Sequence, residues 1–133
     1  MLEPLSHGQA PSLDRRTAQR LKRGALALEA RLDLHGHSQD EARPALARFL
    51  GQSYERGLRC VLVITGKGRF SPGTTNRPRD DSWHSPRGVL REMVPVWLNE
   101  PPNRARVLSF SYAQPKDGGD GALYVLLKRQ RET

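Results

Sequence analysis

One cysteine, Cys60, is all the thiol in this 133-residue chain, so neither an intrachain disulfide nor a thiolate metal cluster can form. Cys60 stands inside an apolar run and reads as a small buried hydrophobe. No stretch approaches the ~20 apolar residues of a membrane span, and the N-terminus lacks the apolar core of a secretory signal. The expectation is a cytoplasmic protein without a membrane partner. Also missing are internal repeats, the GxxxxGK[ST] spacing of a nucleotide-binding loop and a dense carboxylate cluster for a divalent cation. Acidic residues are the minority, 14 against 22 Lys and Arg, for a formal net charge of +8. That balance favours a polyanionic partner such as nucleic acid or a ribosome, with an anionic membrane surface as the competing reading on charge alone.

The chain suffices for one domain with a core of about 100 residues and leaves no room for a second. Residues 1–12 carry Pro4, Gly8 and Pro11 without apolar periodicity, the composition of a disordered terminus. From Leu13 to Arg23, Arg15, Arg16, Arg20, Lys22 and Arg23 face only Asp14, and Leu13, Thr17 and Leu21 form a narrow apolar stripe. A short basic helix is expected, either an arm for RNA or ribosome or a solvated surface helix. Residues 1–28 are therefore set apart as a basic, partly disordered extension, and residues 29–133 as the folded domain.

Within that domain, 29–35 reads as a first strand. Ser38-Gln39-Asp40-Glu41 has the spacing of a capping box, and Ala42, Ala45, Leu46, Phe49 and Leu50 supply a buried helix face ending near Gly57. Pro44 predicts a kink or a later helix start. Cys60-Val61-Leu62-Val63-Ile64 is a continuous apolar strand, and the aperiodic residues 69–85 form a long loop. Ser85-Pro86 opens a second helix whose stripe is Val89, Leu90, Met93, Val94, Trp97 and Leu98, with a bend at Pro95. Residues 104–113 alternate as a third strand, and a turn-rich 115–121 leads into the apolar strand 122–127. The order is β-α-β-α-β-β, an α/β (α+β) fold. Its strand–helix–strand units favour parallel pairing and put the ends of the first two strands on one edge.

Two segments on that edge carry chemistry. In Leu32-Asp33-Leu34-His35-Gly36, alternation turns the leucines one way and Asp33 with His35 the other. With helices on the leucine face alone, the polar pair stands open at a strand's carboxyl end. Histidine exchanges protons near neutral pH, and a carboxylate can orient it. The second segment is Thr65-Gly66-Lys67-Gly68, whose glycines let backbone amides approach an anion while Lys67 adds charge. Glycines after a strand also serve simply as turn residues. Trp83 and Phe70, flanked by Arg69, Arg77, Arg79 and Arg87, suit single-stranded nucleic acid if they do not pack back onto the domain. Trp97 reads as core.

These motifs in order resemble the Smr (small MutS-related) domain over roughly residues 29–129, in the form of the stand-alone bacterial proteins. Leu32-Asp33-Leu34-His35-Gly36 matches the family's LDLHG, Gly66-Lys67-Gly68 its GxG loop, Gly88-Val89-Leu90-Arg91 the opening of its second helix, and Gly119-Asp120-Gly121-Ala122-Leu123 its closing GxGAL. The resemblance implies a two-layer sandwich with a four-stranded mixed sheet, similar to the C-terminal domain of translation initiation factor three. It further implies nucleic-acid binding and, in many members, endonuclease activity on RNA or nicking of DNA. One departure stands out: many members carry HGxG where this chain has Thr65-Gly66-Lys67-Gly68, so their second histidine is missing, and His84 in the loop is the nearest substitute in the sequence. Members with LDLRG look like binders; this chain keeps its histidine.

On this reading Asp33 and His35 are the catalytic pair. Gly66, Lys67, Gly68, Arg69, Arg87, Arg91, Gly119 and Gly121 are the candidate contacts to phosphate or nucleic acid, the last two being most simply turn residues. Cleavage of RNA, with DNA as the alternative substrate, needs no cofactor when His35 activates the 2′-hydroxyl. A divalent metal held by Asp33 and His35 with Asp120 nearby is the weaker alternative. The protein is expected to act as a monomer, in association with a ribosome, and a non-catalytic binding module is the competing function.

Overall fold

The computed structural model describes Leu5, residues 15–66 and residues 89–129. The expected loop 69–85, with Phe70, Trp83 and His84, lies outside the described residues, as do the helix start at Ser85-Pro86 and most of the N-terminal segment.

The described chain runs α1 (Arg15–Lys22), β1 (Arg31–Asp33), α2 (Gln39–Glu55), β2 (Cys60–Ile64), α3 (Val89–Leu98), α4 (Asn103–Arg106), β3 (Val107–Tyr112) and β4 (Ala122–Leu127). The four strands form one mixed sheet in the order β1-β2-β4-β3. β1 lies parallel to β2, with Asp33 opposite Ile64, and β4 runs antiparallel to both β2 and β3. The crossovers through α2 and α3 therefore join parallel strands, and the carboxyl ends of β1 and β2 meet the start of β4 at one rim.

Alternation along β2 and β4 explains why both are apolar throughout. Val61, Val63, Leu123, Val125 and Leu127 enter the main core with Leu46 and Leu50 of α2 and Leu90, Val94, Trp97 and Leu98 of α3. Cys60, Leu62, Ala122, Tyr124 and Leu126 point to the opposite face. That face is not left open, as the two-layer expectation had it. Leu21 of α1 is buried there, with Leu26 and Leu28 packed alongside. The burial of one leucine holds the basic helix to the sheet, while Arg15, Arg16, Arg20, Lys22 and Arg23 stay exposed. A buried leucine of this size contributes about 1.5–3 kcal/mol, so α1 is docked on the sheet.

The helix ends follow from local chemistry. Ser38 caps α2 with the full reciprocal capping box to Glu41, and Gly57 N–H to Tyr54 O with Leu58 N–H to Ser53 O closes its other end. α2 begins at that cap and runs through Pro44, and α3 runs through Pro95, so no later start is needed. Pro44 is exposed.

Three expectations are corrected. β1 is shorter than 29–35, although Glu29 N–H to Cys60 O and Leu34 N–H to Ile64 O carry the pairing beyond its ends. Residues 103–106 form a helical turn rather than the start of β3, because the buried Asn103 side chain donates to Trp97 O and draws the chain under α3. Leu5 is not free: its backbone is paired at both N–H and C=O by the Asn99 side chain, and the leucine is buried in the main core.

Candidate active site

β1 is an edge strand, and the cover provided by α1 does not reach it. Asp33 and His35 keep 51% and 67% of their side-chain surface exposed, while Leu34 between them is fully buried. Asp33 Oδ1 lies 2.5 Å from His35 Nδ1 and also accepts the His35 backbone N–H at 3.0 Å. Burial, the largest single influence, pushes the Asp33 carboxyl up. The hydrogen bonds from the His35 ring and backbone, together with the charges of His35 and His37, outweigh it and leave the group below its ordinary value. An ionised carboxylate only accepts, so Nδ1 carries the proton that bonds Asp33.

A second imidazole escaped the sequence reading. His37 Nδ1 lies 3.1 Å from the Leu34 carbonyl, which fixes that nitrogen as the donor. The ring is exposed and sits just before the helix cap Ser38. The signal was visible, since only Gly36, where φ is +83°, separates His35 from His37.

The loop after β2 closes onto this pair. Gly66 has φ of +89°, and a Cβ placed there would come within 3.4 Å of His35 Cβ. The backbone conformation therefore favours glycine, while the contact with His35 would be an ordinary one. The Gly121 carbonyl accepts from Thr65 N–H at 2.8 Å and Gly66 N–H at 2.9 Å. The buried Thr65 hydroxyl reaches Gly66 O at 3.0 Å and Gly121 O at 3.2 Å. At the position where the resemblance implies a histidine, this chain has a latch between two loops.

That latch corrects part of the expected anion cradle. The Gly66 amide points inward to Gly121 O, the Gly119 amide to Gln114 O and the Gly121 amide to Gly118 O. None of these three N–H groups is free for phosphate. Arg91 reaches the rim but donates Nε to Asp120 O and Nη2 to Asp120 Oδ2, both at 3.1 Å, with its guanidinium over the Tyr112 ring. Asp120 is thereby held in an ion pair. Among the described residues no group of three His, Cys, Asp or Glu side chains is placed to hold a metal ion. Lys67, Gly68, Arg69 and Arg87 lie outside the described residues.

The turn that carries the latch is braced from behind. Tyr124 OH donates to Asp117 Oδ2 at 2.5 Å and accepts Gln114 N–H. Burial and then this bond push the Tyr124 phenol up, so it remains a donor. Gln114 Nε2 and Lys116 Nζ bond the Lys22 and Gly24 carbonyls after α1, so the docked helix supports the rim. Cys60 takes no part. Burial first, then Glu29, pushes its thiol up to about 12, which leaves it an unreactive core residue. Among the described residues no helix is long and apolar enough to cross a membrane.

A small mixed α+β domain, with one four-stranded sheet and an acid–histidine pair at its carboxyl rim, is the class these features define. Residues 32–128 match the Smr domain model, and the chain belongs to that family. Over 109 residues it is 32% identical to the ribosome rescue factor SmrB of Vibrio cholerae serotype O1, covering 82% of this chain and 47% of that protein. Over 131 residues it is 30% identical to the SmrB of a Shewanella species, covering 94% and 62%. The chain spans about half the length of the first of these curated relatives. Among solved structures it is similar to YdaL, a stand-alone small MutS-related protein of Escherichia coli, with TM-score 0.65, 30% identity and coverage of 90% and 79%. It is also similar to the Smr domain of Thermus thermophilus MutS2, with TM-score 0.56, 26% identity and coverage of 75% and 99%.

Proposed function

We propose that this chain is a nucleic-acid endonuclease that cleaves RNA by acid–base catalysis at His35. The observation that carries the reading is the exposed imidazole held at Nδ1 by Asp33, with the glycine loop of β2 packed against its Cβ. His35 Nε2 takes the proton of a 2′-hydroxyl, whose oxygen attacks the adjacent phosphorus while the 5′-oxygen leaves. His37, anchored through Nδ1 and two residues away, is the group we assign to protonate that leaving oxygen. It would take the part of the second histidine that Thr65 cannot play. Lys67 and the Gly68 amide are assigned to the extra charge on the phosphate. The products would be a 2′,3′-cyclic phosphate and a 5′-hydroxyl, with no metal in the step.

The name ribosome rescue factor, carried by the relatives, together with the net charge of +8, supports a ribosome as the setting and hence a cytoplasmic location. The exposed cations of α1 give that contact a basic surface.

A non-catalytic binding module is favoured by one observation: Arg91 and the amides of Gly66, Gly119 and Gly121 are already bonded within the protein. The deciding experiment incubates the chain with labelled single-stranded RNA, duplex RNA and duplex DNA, with and without EDTA, and identifies the product ends. Cyclic phosphate ends that persist in EDTA support the nuclease. Only 5′-phosphate ends, lost in EDTA, contradict this mechanism, and no cleavage of any substrate leaves the binding module.

A further inference from the structure

The opposite rim of the sheet holds a second cationic feature that the proposed chemistry does not use. Arg59 just before β2, Lys128 and Arg129 just after β4, Tyr54 in the last turn of α2 and Leu108 of β3 line an open recess of about 530 Å³. That volume is in the range of small-ligand sites. β2 and β4 are antiparallel, with Cys60 opposite Leu126, so their pairing is what gathers these cations.

Among the described residues none of the three cations is ion-paired. The nearest carboxylate, Glu29, turns its Oε1 to the backbone N–H groups of Arg59 and Cys60. Arg59 is held in place by donating Nη1 to Leu127 O at 3.2 Å, and the Lys128 backbone is fixed by its N–H to Arg106 O. Burial, then the like charge of Arg129, lowers the Arg59 pKa, against the opposing pull of Glu29. A bound anion would relieve that repulsion. The aromatic ring of Tyr54 and the apolar Leu108 beside the cations suit a base and sugar rather than a bare inorganic ion.

We propose that this recess binds a second nucleotide unit of the same polynucleotide whose scissile phosphate lies at His35. This rests on the nucleic-acid reading above and adds to it a second contact. The five residues of β2 separate the two rims by roughly 15–20 Å at 3.3 Å per residue. A long strand reaches both; a mononucleotide reaches one. Arg59, Lys128 and Arg129 bond the phosphates, and Tyr54 offers a stacking surface.

The test measures the affinity of a long 2′-O-methyl RNA, which cannot undergo 2′-attack, for the full chain over a series of salt concentrations. Arg129→Glu is compared with Arg48→Glu, an equal charge change at an exposed position of α2 outside the recess. Arg129→Glu is expected to weaken binding about tenfold and to flatten the salt dependence by about one phosphate contact, Arg48→Glu to weaken it less than about threefold, and Arg129→Lys to restore most of it. Both arginines are exposed, and matching melting curves confirm the fold. Equal losses from the two reversals, or wild-type affinity in Arg129→Glu, would overturn the recess while leaving His35-dependent cleavage intact. Tight, salt-insensitive binding of AMP that Arg129→Glu abolishes, with RNA affinity unchanged, would reassign the recess to a small nucleotide and also overturn it. Failure of the wild-type chain to bind any RNA would remove the functional reading itself.

Discussion

The two rims of the sheet carry positive charge in opposite conditions. At the carboxyl rim Arg91 is paired with Asp120, and the amides of Gly66, Gly119 and Gly121 are bonded inward, leaving the imidazoles of His35 and His37 exposed. At the other rim Arg59, Lys128 and Arg129 share a recess without a paired carboxylate among the described residues. The first arrangement is neutralised within the protein and leaves two imidazoles exposed; the second holds its cations without a partner carboxylate among the described residues. The basic balance of the chain therefore does not locate the proposed chemistry: the groups we assign to react sit where charge is already neutralised, and those we assign to hold a strand sit where it is not.

The comparison is broken most severely by Asp33→Asn. The amide can present its NH₂ to Nδ1 and reverse the ring's tautomer, so RNA cleavage should fall about 100-fold or more. RNA affinity, set elsewhere, should stay within about threefold of wild type in the same binding assay. A loss of affinity matching the loss of cleavage would mean that the pair holds substrate rather than reacts with it.

Gly66→Ala sharpens the carboxyl-rim side. An L-residue at φ +89° costs about 1–2 kcal/mol, a decrease that urea unfolding should register. The new Cβ would make only an ordinary contact with His35, so a loss of cleavage should follow from strain in the loop and not from a clash. Arg91→Ala is a milder test. Its ion pair with Asp120 is largely exposed and worth up to about 1 kcal/mol. Because the guanidinium is already engaged, removing it should change RNA affinity by less than about threefold, in contrast to the effect of Arg129→Glu at the opposite rim.

The smallest effect is on pH. The folded-state Asp33 carboxyl sits below its unfolded value, so its contribution to stability is fully present above the ordinary carboxylate range near 3.9 and is lost as pH falls through the lower folded-state value. The stability difference between wild type and Asp33→Asn should therefore shrink as pH falls through the carboxylate range. A difference that stays constant through that range would contradict the depressed carboxyl.

β2 and β4 were legible because strands buried on both faces read as unbroken apolar runs. α2 was legible through the reciprocal spacing of Ser38 and Glu41, and the Asp33–His35 pair through alternation beside buried Leu34. The rest was hidden for physical reasons. The latch at Gly121 is made by a backbone carbonyl, which every residue possesses, so no side-chain pattern announces it. Arg91 with Asp120, and Arg59 with Arg129, meet only through pairing between distant segments. In α1 four cations masked the buried Leu21, and in 103–106 the alternation of Arg and Ala fits a helical turn as well as a strand. His37 was in plain view, and its role emerged only when its ring was seen tied to Leu34 O.

The central claim is that His35 reacts rather than merely binds, and the direct measurement is labelled single-stranded RNA given to wild type and His35→Ala, scored in parallel for cleavage and for binding. The account predicts that His35→Ala loses cleavage by about 100-fold to 10,000-fold and retains affinity within about threefold. Cleavage that survives in His35→Ala, or affinity that disappears along with it, would contradict it.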